Sequence, residues 1–151
     1  MFGLIAVALL AGSWSSDAPV RAAELPAVAQ SLVADLDRGN SVCRLALEKG
    51  RVKFFQSEDD LRRATTILAS PRRGDGEAYI ARNILRDVTP SLSSAQFTLA
   101  EGLLRHKCVD EADQVYRGML AFYSGRYFDA VRQRALVGID DVRAAKGQTA
   151  G

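Results

Sequence analysis

The chain has few of the residues that most catalytic centres use. His106 is the only histidine among 151 residues, and there is no Cys-x-x-Cys pair, no glycine-rich phosphate loop and no nucleophile elbow. Acid–base or nucleophilic catalysis usually needs a tunable histidine, an activated thiol or a carboxylate pair in a pocket. His106 lies between Arg105 and Lys107 near a predicted helix end, where a solvated position complements the helix dipole. We therefore predict that the protein is not an enzyme and has no catalytic residues, no metal and no cofactor.

The chain also lacks a strong excess of charge of either sign and a long apolar run. Its formal net charge is +2, which gives no support for nucleic-acid binding, so we expect no nucleic-acid partner. The hydrophobic fraction of 48% and the charged fraction of 25% are typical of a soluble globular protein. The most apolar segment, residues 1–12, is shorter than the roughly 20 residues that cross a bilayer.

The N-terminal segment has the pattern of a secretory signal peptide. The apolar run of residues 1–12 is followed by a small-residue, turn-prone stretch, although no lysine or arginine precedes the run. Small residues permit cleavage after Ala22 or after Ser13, and Ser13 stands where a lipoprotein would need cysteine. We predict a signal peptide at 1–22, no stable membrane anchor after cleavage, and a periplasmic or secreted protein. An uncleaved, membrane-associated helix is the alternative.

Two cysteines, Cys43 and Cys108, lie in the predicted mature chain. In an oxidising compartment, an even pair with no other cysteine most simply forms one intramolecular disulfide. The chain-entropy model gives such a link roughly 4 kcal/mol of stabilisation. Two free buried thiols are one alternative. A metal site that includes His106 is the other, but it has too few ligands for zinc.

Apolar residues recur at the spacing of amphipathic helices along the whole mature chain. We place helix ends at Gly50 and before Pro90, a helix start at Ser57, and a capping box at Ser93–Gln96. Residues 51–55 either continue a helix or form a short linker. The sequence thus predicts an all-α fold of seven short helices packed as antiparallel hairpins, in a bundle or a short α-solenoid. One domain spans 23–146 and a disordered tail spans 147–151. The predicted helices are Pro26–Arg38, Ser41–Lys49, Ser57 to Pro71, Asp75 to Pro90, Ser93–Leu104, Asp110–Tyr123 and Tyr127–Ala145.

Residues 100–145 contain a segment that resembles a tetratricopeptide repeat. In that family a small residue midway along one helix faces the next helix, and a Gly-x-Tyr-x-x-Ala run forms the turn between them. Gly118, Gly125, Tyr127 and Ala130 have this spacing. The resemblance implies a helical hairpin in which Ala130 packs close to Gly118, in a protein that binds a protein or peptide.

The same segment supplies the candidate partner-binding residues. Tyrosine rings beside a tight turn are typical of recognition surfaces, and nearby arginines suit a peptide carboxylate or an acidic partner. The alternative is that the rings are buried in the joint of the last hairpin and the arginines form a solvated basic face. The candidates are Tyr123, Arg126, Tyr127, Arg132 and Arg134.

These patterns lead to two functional hypotheses. The first is an exported, periplasmic helical protein that acts as a binding module or scaffold for a protein or peptide partner in the cell envelope. The second is a small, disulfide-stabilised periplasmic stress chaperone that exposes apolar surface conditionally. Acidification distinguishes them, because a conditional chaperone should then expose apolar surface whereas a scaffold should not.

Overall fold

A computed structural model describes the backbone of residues 20–150 and the side chains of residues 20–148. This part of the chain contains five α-helices and no strand, which confirms the all-α prediction. Residues 1–19, which hold most of the predicted signal peptide, lie outside the described residues. The helices are α1 (Leu25–Asp37), α2 (Cys43–Ala69), α3 (Asp75–Arg105), α4 (Val109–Phe122) and α5 (Asp129–Ala150), with 3-10 turns at Ala22–Glu24 and Arg126–Phe128.

The prediction of seven helices is wrong at two places, and the first is in α2. The helix continues through Gly50 and Ser57, both of which are buried. A Cβ atom at Gly50 would lie 2.5 Å from Leu99 Cδ2, so the glycine allows α3 to approach closely rather than ending the helix. Ser57 is 2% exposed and lies inside the helix, so it does not cap a helix start. Burial against α3 therefore overrides the local stop and start signals.

The second difference is in α3, which continues through Pro90 and through the expected capping box. The hydroxyl of Ser93 donates to the carbonyl of Pro90 at 3.4 Å, and Gln96 points toward neighbouring helices. A proline inside a helix costs about 3 kcal/mol or more. Here α3 packs against α1, α2, α4 and α5, and this burial offsets the cost. At the other end of the chain, α5 continues to Ala150, past Gly147 where we expected a disordered tail.

Helix α3 forms the centre of the fold, and the buried core lies along it. Helix α1 ends beside the end of α3, where Asp37 contacts Arg105 and His106. No helix within residues 20–150 has the length and apolar character needed to cross a membrane. The fully buried large side chains are Leu25, Leu61, Leu92, Leu99, Leu103, Met119, Tyr123 and Val142.

The predicted disulfide is confirmed. Cys43, the first residue of α2, is bonded to Cys108, which immediately precedes α4, with a Cα–Cα distance of 5.5 Å. Neither cysteine is a free thiol or a metal ligand in this structure. The bond joins the beginnings of α2 and α4, two helices that are separated in sequence by the whole of α3.

His106 lies at the same end of the molecule and forms a local ion-pair cluster. Its Nε2 atom is 2.5 Å from Asp37 Oδ1, and Arg105 lies 3.3 Å from the same oxygen. The hydrogen bond from His106 is the main reason that the pKa of Asp37 is below its usual value. His106 therefore links the ends of α1 and α3, which is a structural role.

Candidate binding groove between helices α2 and α4

An open groove lies between α2 and α4, and residues of α3 line part of it. The contacts of α2 with α4 follow the same order along both helices: Cys43 meets Cys108, Arg51 meets Gln114, and Arg62 meets Phe122. The two helices therefore run in the same direction, yet they contact each other at few positions. We call the space between them the α2–α4 groove.

Two adjoining cavities of about 490 and 360 Å³ lie in the α2–α4 groove, and a third of about 330 Å³, lined mainly by charged and polar side chains, lies between the same helices nearer to the disulfide. Glu58, Gly118 and Phe122 line both of the larger cavities, so the two meet at these residues. Cavities of this size can hold side chains or a small ligand. The apolar side chains that line one or both of the larger cavities are Leu47, Phe54, Phe55, Leu61, Leu99, Val115, Met119, Ala121, Phe122 and Phe128.

Two arginines of α2 cross the groove on either side of Glu58. Arg51 donates to Gln114 Oε1 at 3.0 Å, and the Arg62 guanidinium lies 5.8 Å from the centre of the Phe122 ring. The disulfide fixes the spacing of the helices at the end where both begin. The disulfide and the two arginine contacts thus join α2 and α4 at three positions along the groove. Between the two arginine contacts, beside Glu58 and Gly118, the groove is open.

A chain of polar side chains leads from the core to the groove. The buried Tyr123 hydroxyl donates to Gln96 Oε1 at 2.6 Å, and Gln96 Nε2 donates to Glu58 Oε1 at 3.2 Å. Burial raises the pKa of Tyr123, so its hydroxyl stays protonated and available as a donor. Burial also raises the pKa of Glu58, against the opposing effects of the Gln96 hydrogen bond and the charges of Arg62 and Arg51. The chain orients the Glu58 carboxyl group in the α2–α4 groove.

Gly118 lines the groove, and close packing against a neighbouring residue does not explain why this position is glycine. A glycine inside a helix costs roughly 0.5–1 kcal/mol relative to alanine. At Gly50, Gly102 and Gly138 an added Cβ would meet a neighbouring side chain too closely, which explains those glycines. At Gly118, in the second half of α4, a Cβ would meet nothing within 4 Å, as is also the case at Gly76 in α3 and Gly147 in α5. The missing side chain gives close packing no advantage, but it keeps the space where the two cavities meet empty.

The five predicted partner-binding residues differ in their exposure and in their contacts. Tyr123 is 0% exposed, so it offers a partner no surface. Arg132 donates to the carbonyls of Leu120 and Tyr123, at 2.8 and 3.1 Å, and so stabilises the end of α4. Arg134 pairs with Glu101 at 2.8 Å, and its guanidinium lies 4.1 Å from the Phe97 ring centre. Only Arg126 and Tyr127, on the exposed 3-10 turn, are without such contacts among the described residues.

The contact that the tetratricopeptide resemblance implies is also absent from the described residues. Ala130 is exposed, and nothing lies within 4 Å of a Cβ built on Gly118. Helices α4 and α5 instead approach closely at Gly138, where a Cβ would meet the ring of Tyr116. The Tyr116 ring therefore occupies the space that a side chain at position 138 would need.

The residues that build the groove were assigned other roles from sequence. Glu58 follows Ser57, where the sequence predicts a helix start, and Gln96 belongs to the predicted capping box. A continuous helical period from Leu47 through Arg51 and Glu58 to Arg62 would have placed these residues on one face. Because the sequence predicts a helix end at Gly50 and a new helix start at Ser57, it does not predict this continuous helical face.

No protein-family model matches this chain, and neither does any curated protein or solved structure. The described residues contain no cluster of three or more histidine, cysteine or acidic side chains that could hold a metal ion. The fold and the site together define an all-α protein whose groove is bridged by a disulfide at one end, is lined by both apolar and polar side chains, and has the Glu58 carboxyl group where its two central cavities meet.

The Glu58→Gln variant should show the cost of holding this carboxylate in the groove. Because burial raises the pKa of Glu58 in the folded state, its ionisation opposes folding. This cost is absent below the ordinary glutamate pKa and develops fully as the pH rises through the folded-state pKa. Thermal melts should therefore show Glu58→Gln to be more stable than wild type at neutral pH, with the difference disappearing near about pH 3.5. An equal difference in stability between Glu58→Gln and wild type at both pH values would show that ionisation of Glu58 does not oppose folding.

Proposed function

We propose that this protein is exported and binds a protein or peptide partner in the cell envelope through the α2–α4 groove. The observation that carries the proposal is the pair of adjoining cavities between α2 and α4, which Glu58, Gly118 and Phe122 line together. The proposal moves the binding site from the predicted surface around Tyr127 to the α2–α4 groove.

The lining of the groove suits a polypeptide segment. Recognition of a helix in a groove places apolar side chains of the partner in apolar pockets and leaves polar contacts at the edge. Phe54 and Leu99 are buried in the groove, and Phe55, which is 61% exposed, lies at its edge. Aromatic side chains in this arrangement are typical of the residues that contribute most to binding.

The export part of the proposal rests on the sequence of residues 1–22 and is compatible with the Cys43–Cys108 bond. Structural disulfides persist mainly in oxidising compartments outside the cytoplasm. Mass spectrometry of the protein from its native host should therefore find a shortened N-terminus, cut after Ser13 or Ala22. Recovery of the intact chain of residues 1–151 from the soluble cytoplasm would contradict export.

Substitutions at Gly118 test the groove without disturbing the core. Gly118→Leu should fill the space where the cavities meet, and because a Cβ there meets nothing, the fold should persist. We expect cross-linking and affinity capture from envelope extracts to recover a partner with wild type and to lose it with Gly118→Leu. Melting curves should show that Gly118→Ala is about 0.5–1 kcal/mol more stable than wild type.

Gln133→Leu is the matched control, because Gln133 is exposed on α5 and lines neither cavity. The proposal predicts that this variant captures the partner as wild type does. A partner that binds Gly118→Leu as well as wild type would show that the groove is not the binding site.

A further inference from the structure

We propose that the partner segment places an alkylammonium group, as found at the end of a lysine side chain, against Glu58 in the α2–α4 groove. This inference rests on the proposed function and specifies the chemistry that the groove recognises. It depends on the contacts of Glu58, on those of the two neighbouring arginines and on the apolar walls.

Glu58 has unused capacity to accept hydrogen bonds. Within residues 20–148, its carboxyl group accepts one side-chain hydrogen bond, from Gln96, and forms no ion pair. Glu58 lines both cavities, so the carboxyl group borders open volume. A desolvated carboxylate gains most from a charged donor, because charge-assisted hydrogen bonds are roughly twice as strong as neutral ones.

The two arginines beside Glu58 have other contacts. Arg51 donates to Gln114 at 3.0 Å, and Arg62 lies 3.7 Å from Asp59 and against the Phe122 ring. Both arginine side chains are exposed, so salt and water screen their charges. Neither neutralises Glu58 through a direct ion pair, so the carboxylate is left for a cation that arrives with the partner.

The walls of the groove suit the aliphatic part of a lysine. Phe54, Met119 and Phe122 line the same cavity as Glu58. A lysine stem of four methylene groups can pack against such apolar surfaces while its ammonium group contacts the carboxylate. Gln96, which accepts a hydrogen bond from Tyr123, donates one to the Glu58 carboxyl group and so orients it. The site is therefore arranged before the partner binds.

The test uses hexylammonium as a probe, because it has an apolar chain and an ammonium group, with hexanoate as the anionic counterpart. Each is titrated into the isotope-labelled full chain while NMR follows the Gly118 amide and the Gln96 side-chain amide. We expect saturable shifts with hexylammonium, binding at least about tenfold weaker in Glu58→Gln, and no saturable shifts with hexanoate. Glu77→Gln, which changes an exposed carboxylate at the start of α3, should bind hexylammonium as wild type does.

Three results would overturn the inference: no saturation by hexylammonium, equal or tighter binding of hexanoate, or unchanged binding in Glu58→Gln. Capture of the partner separates this inference from the proposed function. A partner that is lost with Gly118→Leu but retained by Glu58→Gln would leave the groove as the binding site and reject the ammonium contact. A partner that is retained by both variants would reject the groove itself.

Discussion

Replacing Tyr123 by alanine is expected to lower the free energy of unfolding by about 3–5 kcal/mol. The side chain is 0% exposed, and its ring lies in edge contact with Phe122 at 4.9 Å and with Phe128 at 5.2 Å between centroids. Truncation removes these contacts and leaves a cavity beside the α2–α4 groove. It also removes the hydroxyl that donates to Gln96. Denaturant unfolding, followed by circular dichroism, measures the loss.

Tyr127 is the matched control, because it is the same residue type four positions later but is 75% exposed. Tyr127→Ala should change stability by less than about 0.5 kcal/mol. The tetratricopeptide resemblance instead implies that Tyr127 is buried and that Tyr127→Ala causes a large loss of stability. Equal losses for the two substitutions would show that the packing described around Tyr123 is wrong.

Removing the disulfide is expected to cost about 2–4 kcal/mol. The Cys43–Cys108 bond closes a chain segment with a sequence separation of 65 and joins two helices that otherwise contact each other little. The double variant Cys43→Ser/Cys108→Ser avoids leaving a single reactive thiol. Its denaturation curve should shift to lower denaturant concentration relative to oxidised wild type.

Chemical reduction gives an independent check of the same bond. Reduced wild type should lose about the same stability as the double serine variant, and the variant itself should not respond to reductant. Wild type that unfolds at the same denaturant concentration with and without reductant would show that the bond does not stabilise the fold. Two titratable thiols in protein isolated from the envelope would show that the bond is not formed there.

The all-α class and the disulfide were predictable from the sequence, because both depend on simple regularities. Apolar residues repeat at the helical period along the whole mature chain, and Cys43 and Cys108 have no other cysteine to pair with. These features do not require knowledge of which helices meet. They gave the correct class without giving the number of helices.

The helix boundaries were harder, because local signals and tertiary packing disagree. Gly50 and Pro90 are ordinary helix-ending residues, and Ser57 is a good cap. In the structure the first lies against Leu99, the second is within the long central helix, and the third is buried. Whether a helix ends or continues at these residues depends on packing against neighbouring helices, and the local sequence does not show which helices are neighbours.

The binding groove was not predictable for the same reason. Its walls come from α2 and α4, which are brought together by α3, and its central residues look ordinary in sequence. Glu58 lies within a run of acidic residues, and Gln96 follows two serines, so both fit a helix start. Their hydrogen bonds with each other and with Tyr123 form only when the helices pack together. Tyr123 and Arg132, predicted from sequence to bind a partner, make internal contacts in the structure.

Photo-cross-linking in the native host tests the central claim most directly. A photoreactive phenylalanine derivative replaces Phe55, which lines the groove and is 61% exposed, and in a second variant it replaces the exposed Tyr127. Binding in the α2–α4 groove predicts a covalent adduct with a specific envelope protein from position 55 and none from position 127. An adduct from position 127 alone would contradict the account, because the partner would then bind the 3-10 turn before α5 and leave the groove empty.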